Sequence, residues 1–200
     1  MLKLGLTGGI ASGKSFVAAR LREMNFRVLD ADQLGHKLLE PGQSAYEPVV
    51  QEFGNEILRP DKSVDRKKLG AIVFAEAQKL AKLNSILHPR IEEAMRAHFA
   101  QWEKENPREP VFVEAALLIE AGMHKRLDGL VVVWCRGEQQ FERLVTRGLT
   151  ESEARRRISL QMPNEEKLER ATYTIDTSGT MGDTQAQVAA LAEKLRAAQN

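Results

Sequence analysis

The sequence has few of the features that mark secreted, membrane-spanning or nucleic-acid-binding proteins. Its 200 residues include one cysteine, Cys135, so no internal disulfide can form, which fits a reducing cytosol. No apolar run approaches the roughly 18 residues that span a membrane, and the N-terminus lacks the regions of a signal peptide. The 29 lysines and arginines balance 28 aspartates and glutamates, without the basic excess of a nucleic-acid binder. We therefore expect a cytoplasmic protein without membrane or nucleic-acid partners.

Motifs of several other functional classes are missing as well. No His, Cys and Asp residues show metal-ligand spacing, so no structural zinc site is predicted. The Asn-Lys-x-Asp motif of guanine-specific switch proteins does not occur. A lone histidine, His88, precedes Pro89, and a histidine in that setting is more often a cap or a packed side chain than a catalyst.

A glycine-rich segment near the N-terminus carries the strongest functional signal. Residues 8–15 read Gly-Gly-Ile-Ala-Ser-Gly-Lys-Ser and follow the apolar run Leu2 to Leu6, as in the phosphate loop G-x-x-x-x-G-K-[ST]. Glycine lets such a loop curl its N–H groups around an oxyanion. We expect Lys14 to reach the β- and γ-phosphates and Ser15 to ligate Mg²⁺, with the positive end of the next helix facing the triphosphate. An ordinary glycine-rich turn is the weaker alternative.

Apolar periodicity predicts an α/β fold, with a parallel sheet flanked by helices. The strand candidates cover residues 2–7, 27–29, 111–114, 130–135 and 173–176. The stretch from about 43 to 104 has a helical pattern throughout, and Pro89 is predicted to break it. We predict a nucleotide-binding core over 1–42 and 105–200 with a helical lid at about 137–162, and an acceptor-binding helical insert over 43–104.

Acidic residues lie at the carboxyl ends of two of the predicted strands. The size and two-part layout of the chain favour a small-molecule kinase, which needs a carboxylate to orient and deprotonate the acceptor hydroxyl. Ligands of such sheets bind beyond the carboxyl ends of the strands. Asp32 is the preferred base, although Asp32 or its neighbour Asp30 could serve only to cap the next helix. Glu114 is a candidate for holding a Mg²⁺-bound water, and a structural carboxylate is about equally compatible with its position.

Arginines cluster around the predicted turn 148–150. They are Arg143, Arg147, Arg155, Arg156 and Arg157. A helical hairpin that carries cations over the phosphates would stabilise the transferring group and exclude water. We expect Arg147 and Arg143 to act in catalysis, whereas a solvated charged face explains Arg155 to Arg157 at least as well.

Taken together, these residues resemble the dephospho-coenzyme A kinase family from Leu4 to about Gly179. The shared motifs are Gly5 to Ser15, Leu29-Asp30-Ala31-Asp32, Glu40-Pro41-Gly42, Val64-Asp65-Arg66, Leu87-His88-Pro89, Leu117 to Glu120, Arg143-Leu144, Gln161 and Ile175-Asp176. The phosphate loop is common to many families, whereas the ordered Asp-Ala-Asp, Asp-Arg and His-Pro motifs are far more specific.

The resemblance implies a P-loop kinase that uses ATP and Mg²⁺ to phosphorylate the ribose 3′-hydroxyl of dephospho-CoA, the last step of coenzyme A biosynthesis. It implies that Asp32 is the general base, that Arg66, His88 and Arg90 join it in binding the acceptor, and that residues 177–179 lie against the adenine. The implied ATP-binding residues are Gly8, Gly9, Ile10, Ala11, Ser12, Gly13, Lys14, Ser15 and Phe16.

The sequence departs from the family pattern in four places. Phe16 stands where a small hydroxyl residue is usual, and Thr177 where asparagine is usual. Ala116 replaces the usual proline before Leu117-Leu118, and the lid turn Arg147-Gly148-Leu149 is one residue shorter than the common pattern.

Two other functions are also considered. A nucleoside-monophosphate, shikimate or gluconate kinase would share the loop but lacks the Asp-Ala-Asp motif. A non-catalytic nucleotide-binding regulatory module would leave Asp32 and Arg147 without a task.

Overall fold

The computed structural model describes residues 1–198, which form five strands and nine α-helices. The strands are β1 (Lys3–Gly8), β2 (Arg27–Asp30), β3 (Val111–Glu114), β4 (Gly129–Trp134) and β5 (Tyr173–Asp176). The helices are α1 (Lys14–Glu23), α2 (Ala31–Leu38), α3 (Tyr46–Phe53), α4 (Arg66–Ala75), α5 (Ala77–Glu105), α6 (Gly137–Thr146), α7 (Glu151–Ser159), α8 (Asn164–Leu168) and α9 (Met181–Ala197). Within residues 1–198, none of these helices combines the length and apolarity needed to cross a membrane.

The strands form one parallel sheet in the order β2-β3-β1-β4-β5. All four residues of β3 are buried, as near-continuous apolar runs predict for a sheet covered on both faces. The predicted α/β class is therefore confirmed. Because the strands are parallel, their carboxyl ends share one edge, where Asp30 is in register with Glu114 and Trp134 with Asp176.

The main apolar core joins the sheet to α1 and α9. Its fully buried members include Leu4, Leu6, Val17, Leu21, Val131, Val133 and Leu195. Burying side chains of this size stabilises the fold by about 1.5–3 kcal/mol each before the entropy cost of ordering the chain. This packing fixes the start of α1 at the end of β1, and thus sets the position of the loop between them.

The chain divides into two compact units, which are Met1–Asp30 with the chain from Asn106 onward, and Ala31–Glu105. The first unit holds the sheet. The second is helical, and in it α5 packs against α2, α3 and α4. Residues 54–65 of this unit are an exception to the predicted helical pattern, since they contain a 3-10 turn (Asn55–Ile57) and an antiparallel bridge between Leu58 and Val64.

Helix α5 runs uninterrupted through Pro89, so the predicted break at that residue is wrong. A proline in mid-helix removes the N–H that would donate to the carbonyl four residues earlier. Here the carbonyl that loses its donor is that of Ser85, and the Arg90 guanidinium donates to the carbonyl of its neighbour, Ile86, at 2.7 Å. Leu83 and Ile91 are buried on either side of the proline, so tertiary packing outweighs the local cost.

Candidate active site

The phosphate-loop motif, residues 8–15, connects the carboxyl end of β1 to α1. Ala11 and Gly13 have φ values of 59° and 89°, in the left-handed region, and this turns the chain back toward the helix. A Cβ atom on Gly8 would collide with the Val133 carbonyl oxygen. Glycine at position 8 is therefore required by the close approach of β4.

Three consecutive carbonyl groups of the loop, those of residues 10–12, each accept a hydrogen bond from a side chain outside it. Gln140 Nε2 donates to the first at 2.9 Å, Arg143 Nη1 to the second at 3.1 Å, and Thr177 Oγ1 to the third at 2.6 Å. In a trans peptide group the C=O and the N–H point in opposite directions. By holding the carbonyls of residues 10–12, the three side chains therefore also set the directions of the N–H groups of residues 11–13. The backbone of the loop is thus shaped before any ligand binds.

The lysine of the loop is paired with the carboxylate at the end of β3. Lys14 Nζ lies 2.7 Å from Glu114 Oε1, and Arg22 Nη2 lies 3.1 Å from Oε2. The Glu114 side chain is 5% exposed, so its charge needs such partners. Sequence reasoning did not predict Arg22 as a partner of Glu114. Arg22 follows Lys14 by eight residues, about two helical turns, so the sequence already placed both cations on one face of α1.

Helix α1 begins in a manner suited to an anion. Its N-cap residue, Gly13, provides no side chain to bond the first N–H groups. The Phe16 N–H donates to the Gly13 carbonyl at 3.0 Å, which leaves the N–H groups of Lys14 and Ser15 and the helix dipole for a ligand. Ser15 is exposed in the first turn. The Phe16 ring lies beneath the Arg20 guanidinium, 5.6 Å from its carbon.

The arginines around the α6–α7 turn have three different environments. Arg143 is half-buried and donates to Ala11 and to the Thr177 carbonyl, the latter at 2.7 Å. Arg147 is exposed at the C-cap of α6. The Arg155 guanidinium lies 4.6 Å from the centre of the Phe141 ring, a cation–π contact, while Arg156 and Arg157 are exposed.

The proposed acceptor-binding residues all lie in the second unit. Asp32 is exposed in the first turn of α2. His36 lies one helical turn after Asp32, on the same face of α2. Its Nδ1 atom lies 2.8 Å from Arg66 Nη1. Sequence reasoning did not predict His36 as part of the site. Arg90 donates to the Ser44 carbonyl at 2.8 Å, and His88 is half-buried within α5, so it is not a helix cap.

Comparison with known proteins gives consistent matches over nearly the whole chain. A model of the family described as dephospho-CoA kinase matches residues 2–183. A dephospho-CoA kinase from Corynebacterium glutamicum is 42% identical over 189 residues, which are 94% of this chain and 96% of that protein.

Among solved structures, TT1252 from Thermus thermophilus matches with a TM-score of 0.82 at 34% identity, covering 96% of this chain and 97% of the other. A dephospho-CoA kinase from Campylobacter jejuni matches with a TM-score of 0.75 at 26% identity, covering 99% and 98%. The predicted P-loop kinase fold is confirmed by these similarities.

Proposed function

This chain belongs to the dephospho-CoA kinase family, and we propose that it transfers the γ-phosphate of ATP to the ribose 3′-hydroxyl of dephospho-CoA, the last step of coenzyme A biosynthesis. The products are CoA and ADP. The observation that carries the proposal is the pre-shaped loop from Gly8 to Ser15 at the open N-terminus of α1, within a chain that matches this family over 2–183. The cytoplasmic location stays a prediction.

The proposed mechanism divides the work between charge stabilisation and proton removal. Lys14 binds the β- and γ-phosphates and neutralises charge that develops on the transferring group. Arg147, exposed at the turn of the α6–α7 hairpin, adds a second cation. Asp32 orients the ribose hydroxyl and accepts its proton. Arg66, with His36 beside it, binds the anionic acceptor. His88 and Arg90, which belong to the same helical unit, also take part in binding the acceptor.

Mg²⁺ fits the oxygen donors available at the loop. Magnesium is usually bound by one or two protein oxygens together with substrate phosphates, and the exposed Ser15 hydroxyl at the start of α1 is such a donor. Both Glu114 oxygens already accept from cations, yet each carboxylate oxygen has a further lone pair for a metal-bound water. Among residues 1–198, no cluster of three His, Cys, Asp or Glu side chains could hold a metal. When bound, the ion neutralises charge on the phosphates.

The test is ADP release from ATP and Mg²⁺ with dephospho-CoA as acceptor, with the product identified by mass. AMP, shikimate and gluconate are tested in parallel, with a blank that has no acceptor. We expect a gain of one phosphate on dephospho-CoA alone. Phosphorylation of another acceptor, or ADP release that does not depend on acceptor, would contradict the proposal.

A further inference from the structure

Two glutamine side chains hold both backbone polar groups of Ile10 in the phosphate loop. Its N–H donates to Gln161 Oε1 at 2.7 Å, and its carbonyl accepts from Gln140 Nε2 at 2.9 Å. A residue held at both ends of its backbone in this way has little freedom to rotate. The next residue, Ala11, is in the left-handed region with φ 59°, which an L-residue adopts only where its surroundings impose it.

The direction of the Gln140 amide is set by a further contact. Asn164 Nδ2 donates to Gln140 Oε1 at 3.3 Å and to the Cys135 carbonyl at 3.0 Å. Since its oxygen already accepts, Gln140 must present Nε2 to Ile10. A Cβ atom on Gly9 would collide with this amide, so the glycine makes room for it. Gln140 is only 5% exposed, and its amide oxygen and nitrogen each have a hydrogen-bond partner.

Gln161 is anchored through its neighbour in the chain. The Met162 N–H donates to Glu120 Oε1 at 3.2 Å, and Lys167 Nζ donates to the same oxygen at 2.8 Å. Lys167 is completely buried, and a buried ammonium strongly requires its anion. This ion pair therefore holds residue 162, and with it the backbone from which Gln161 reaches Ile10.

The two glutamines lie at the open end of the α6–α7 hairpin, where its first helix begins and its second helix ends. Gln140 is in α6, and Gln161 follows α7. The small core of the hairpin includes Ala11 itself, packed with Leu144 and Ala154, and Ile10 lies against it. The hairpin is thus built around two residues of the phosphate loop, by apolar contact as well as by hydrogen bonds.

We infer that Gln140 and Gln161 are positioning residues that fix the Ile10 peptide groups and so couple the shape of the phosphate loop to the α6–α7 hairpin. Neither side chain has to touch a phosphate for this role. A loop whose N–H groups are preorganised binds the triphosphate without the free-energy cost of rearranging its backbone. The inference rests on one part of the proposed function, the binding of ATP at the phosphate loop. It does not depend on dephospho-CoA being the acceptor.

The experiment compares Gln161→Met and Gln140→Met with the control Gln187→Met. Methionine keeps the straight side chain and removes the amide. Gln187 also bonds the N–H and carbonyl of one residue, Asp176, at 2.9 and 2.8 Å, but in β5 and not in the loop. Calorimetry with a non-hydrolysable ATP analogue, in the absence of acceptor, gives the Kd directly.

We expect the Kd for the analogue to rise about fivefold or more in each loop variant and to stay unchanged in the control. The double variant should lose about as much as the worse single variant, since both side chains act on one residue. In turnover assays kcat/KM for ATP should fall at least about tenfold, while KM for dephospho-CoA is unchanged.

Wild-type analogue affinity in Gln161→Met, alongside the same fall in Tm as the control, would overturn the inference and leave the two glutamines as structural only. Should the buried Gln140→Met variant fail to fold, the half-buried Gln161→Met carries the test, with amide exchange at Ile10 expected to accelerate. If dephospho-CoA is not phosphorylated but the Kd responds as expected, the acceptor proposal fails and this inference stands.

Discussion

Lys14 Nζ lies 2.7 Å from Oε1 of Glu114, so the cation of the phosphate loop is paired with a buried carboxylate at the end of β3. The other oxygen of that carboxylate accepts from Arg22 at 3.1 Å. If Lys14 turns toward a phosphate as proposed, Arg22 is in place to remain a partner of Glu114. The buried anion therefore never has to be left without a cation.

Glu114→Gln tests how much this arrangement stabilises the fold. Both cations would lose their anion, and we expect the free energy of unfolding to fall by roughly 1–3 kcal/mol, as for a buried group left without its charged partner. Urea denaturation at pH 7 measures the change. Glu109→Gln is the matched control, since that side chain lies 3.7 Å from Arg27 at a partly exposed site, where pairs contribute about 0–1 kcal/mol. Equal losses at both positions would contradict the expectation.

Asp32→Asn tests the proposed base. The amide keeps the size of the side chain but cannot accept the proton, so we expect kcat to fall about 10²-fold or more. The Kd for ATP should not change. Steady-state kinetics with calorimetry separates the two quantities.

Asp30→Asn is the comparison for Asp32, because Asp30 ends β2 just before α2 begins. We expect a smaller loss of kcat than in Asp32→Asn. A larger loss in the Asp30 variant would move the role of base to that residue.

Arg147→Ala should lower kcat alone, whereas Arg143→Ala should lower both kcat and Tm. Arg147 is exposed, so its loss should lower kcat about 10-fold or more by removing a cation from the transition state, with Tm unchanged. Arg143 supplies donors to Ala11 and Thr177, so its loss should lower both kcat and Tm. A fall in Tm for Arg147→Ala would contradict a purely catalytic role of Arg147. An unchanged Tm for Arg143→Ala would contradict the structural role of Arg143.

The Glu120–Lys167 pair predicts a specific dependence of stability on pH. Burial raises the pKa of Glu120, but the hydrogen bonds from Lys167 and Met162 and the nearby ammonium outweigh it, so the pKa lies below its ordinary 4.5. The folded state then binds fewer protons than the unfolded chain, and the stabilisation is complete above that ordinary value. It is lost as the pH falls through the lowered pKa.

Glu120→Gln is therefore expected to differ most from wild type near neutral pH and to converge with it in acid. Unfolding free energies measured from about pH 7 to pH 3 would show this. Glu153→Gln is the comparison at an exposed site. Hydrogen bonds from Thr150 also lower the pKa of that carboxyl, so its difference from wild type should shrink in acid too, but from a smaller value than that of Glu120→Gln. A difference between Glu120→Gln and wild type that is constant with pH would exclude the ion pair as its cause.

Local sequence rules located the sheet well. The predicted strands 111–114 and 173–176 have the observed bounds. The first is buried throughout, as expected for an apolar strand inside a parallel sheet, whereas the second lies at the edge of the sheet and buries only Ile175. The rules failed at Pro89, where packing on both sides of the residue kept α5 continuous, and over 54–65, where Gly54 at φ 80° starts a non-helical segment.

The phosphate-loop motif located the loop over residues 8–15, but it did not predict the side chains that hold the loop in its shape. Gln140 and Gln161 meet at Ile10 from positions 130 and 151 residues further along the chain, and no local pattern marks a glutamine as a donor or acceptor for distant backbone. The family resemblance included Gln161 without a role. Long-range hydrogen bonds of this kind are set by tertiary structure, so a single sequence does not specify them.

The central place of β1 has a consequence for biosynthesis. Its first residue, Lys3, pairs with Val111, 108 residues further along the chain, and its other neighbour, β4, is made later still. At the usual rate of translation, the N-terminal strand waits on the order of 5–20 s for its first partner. Non-local pairing of this kind is slow, so we expect nascent chains to expose this apolar strand until β3 has been synthesised.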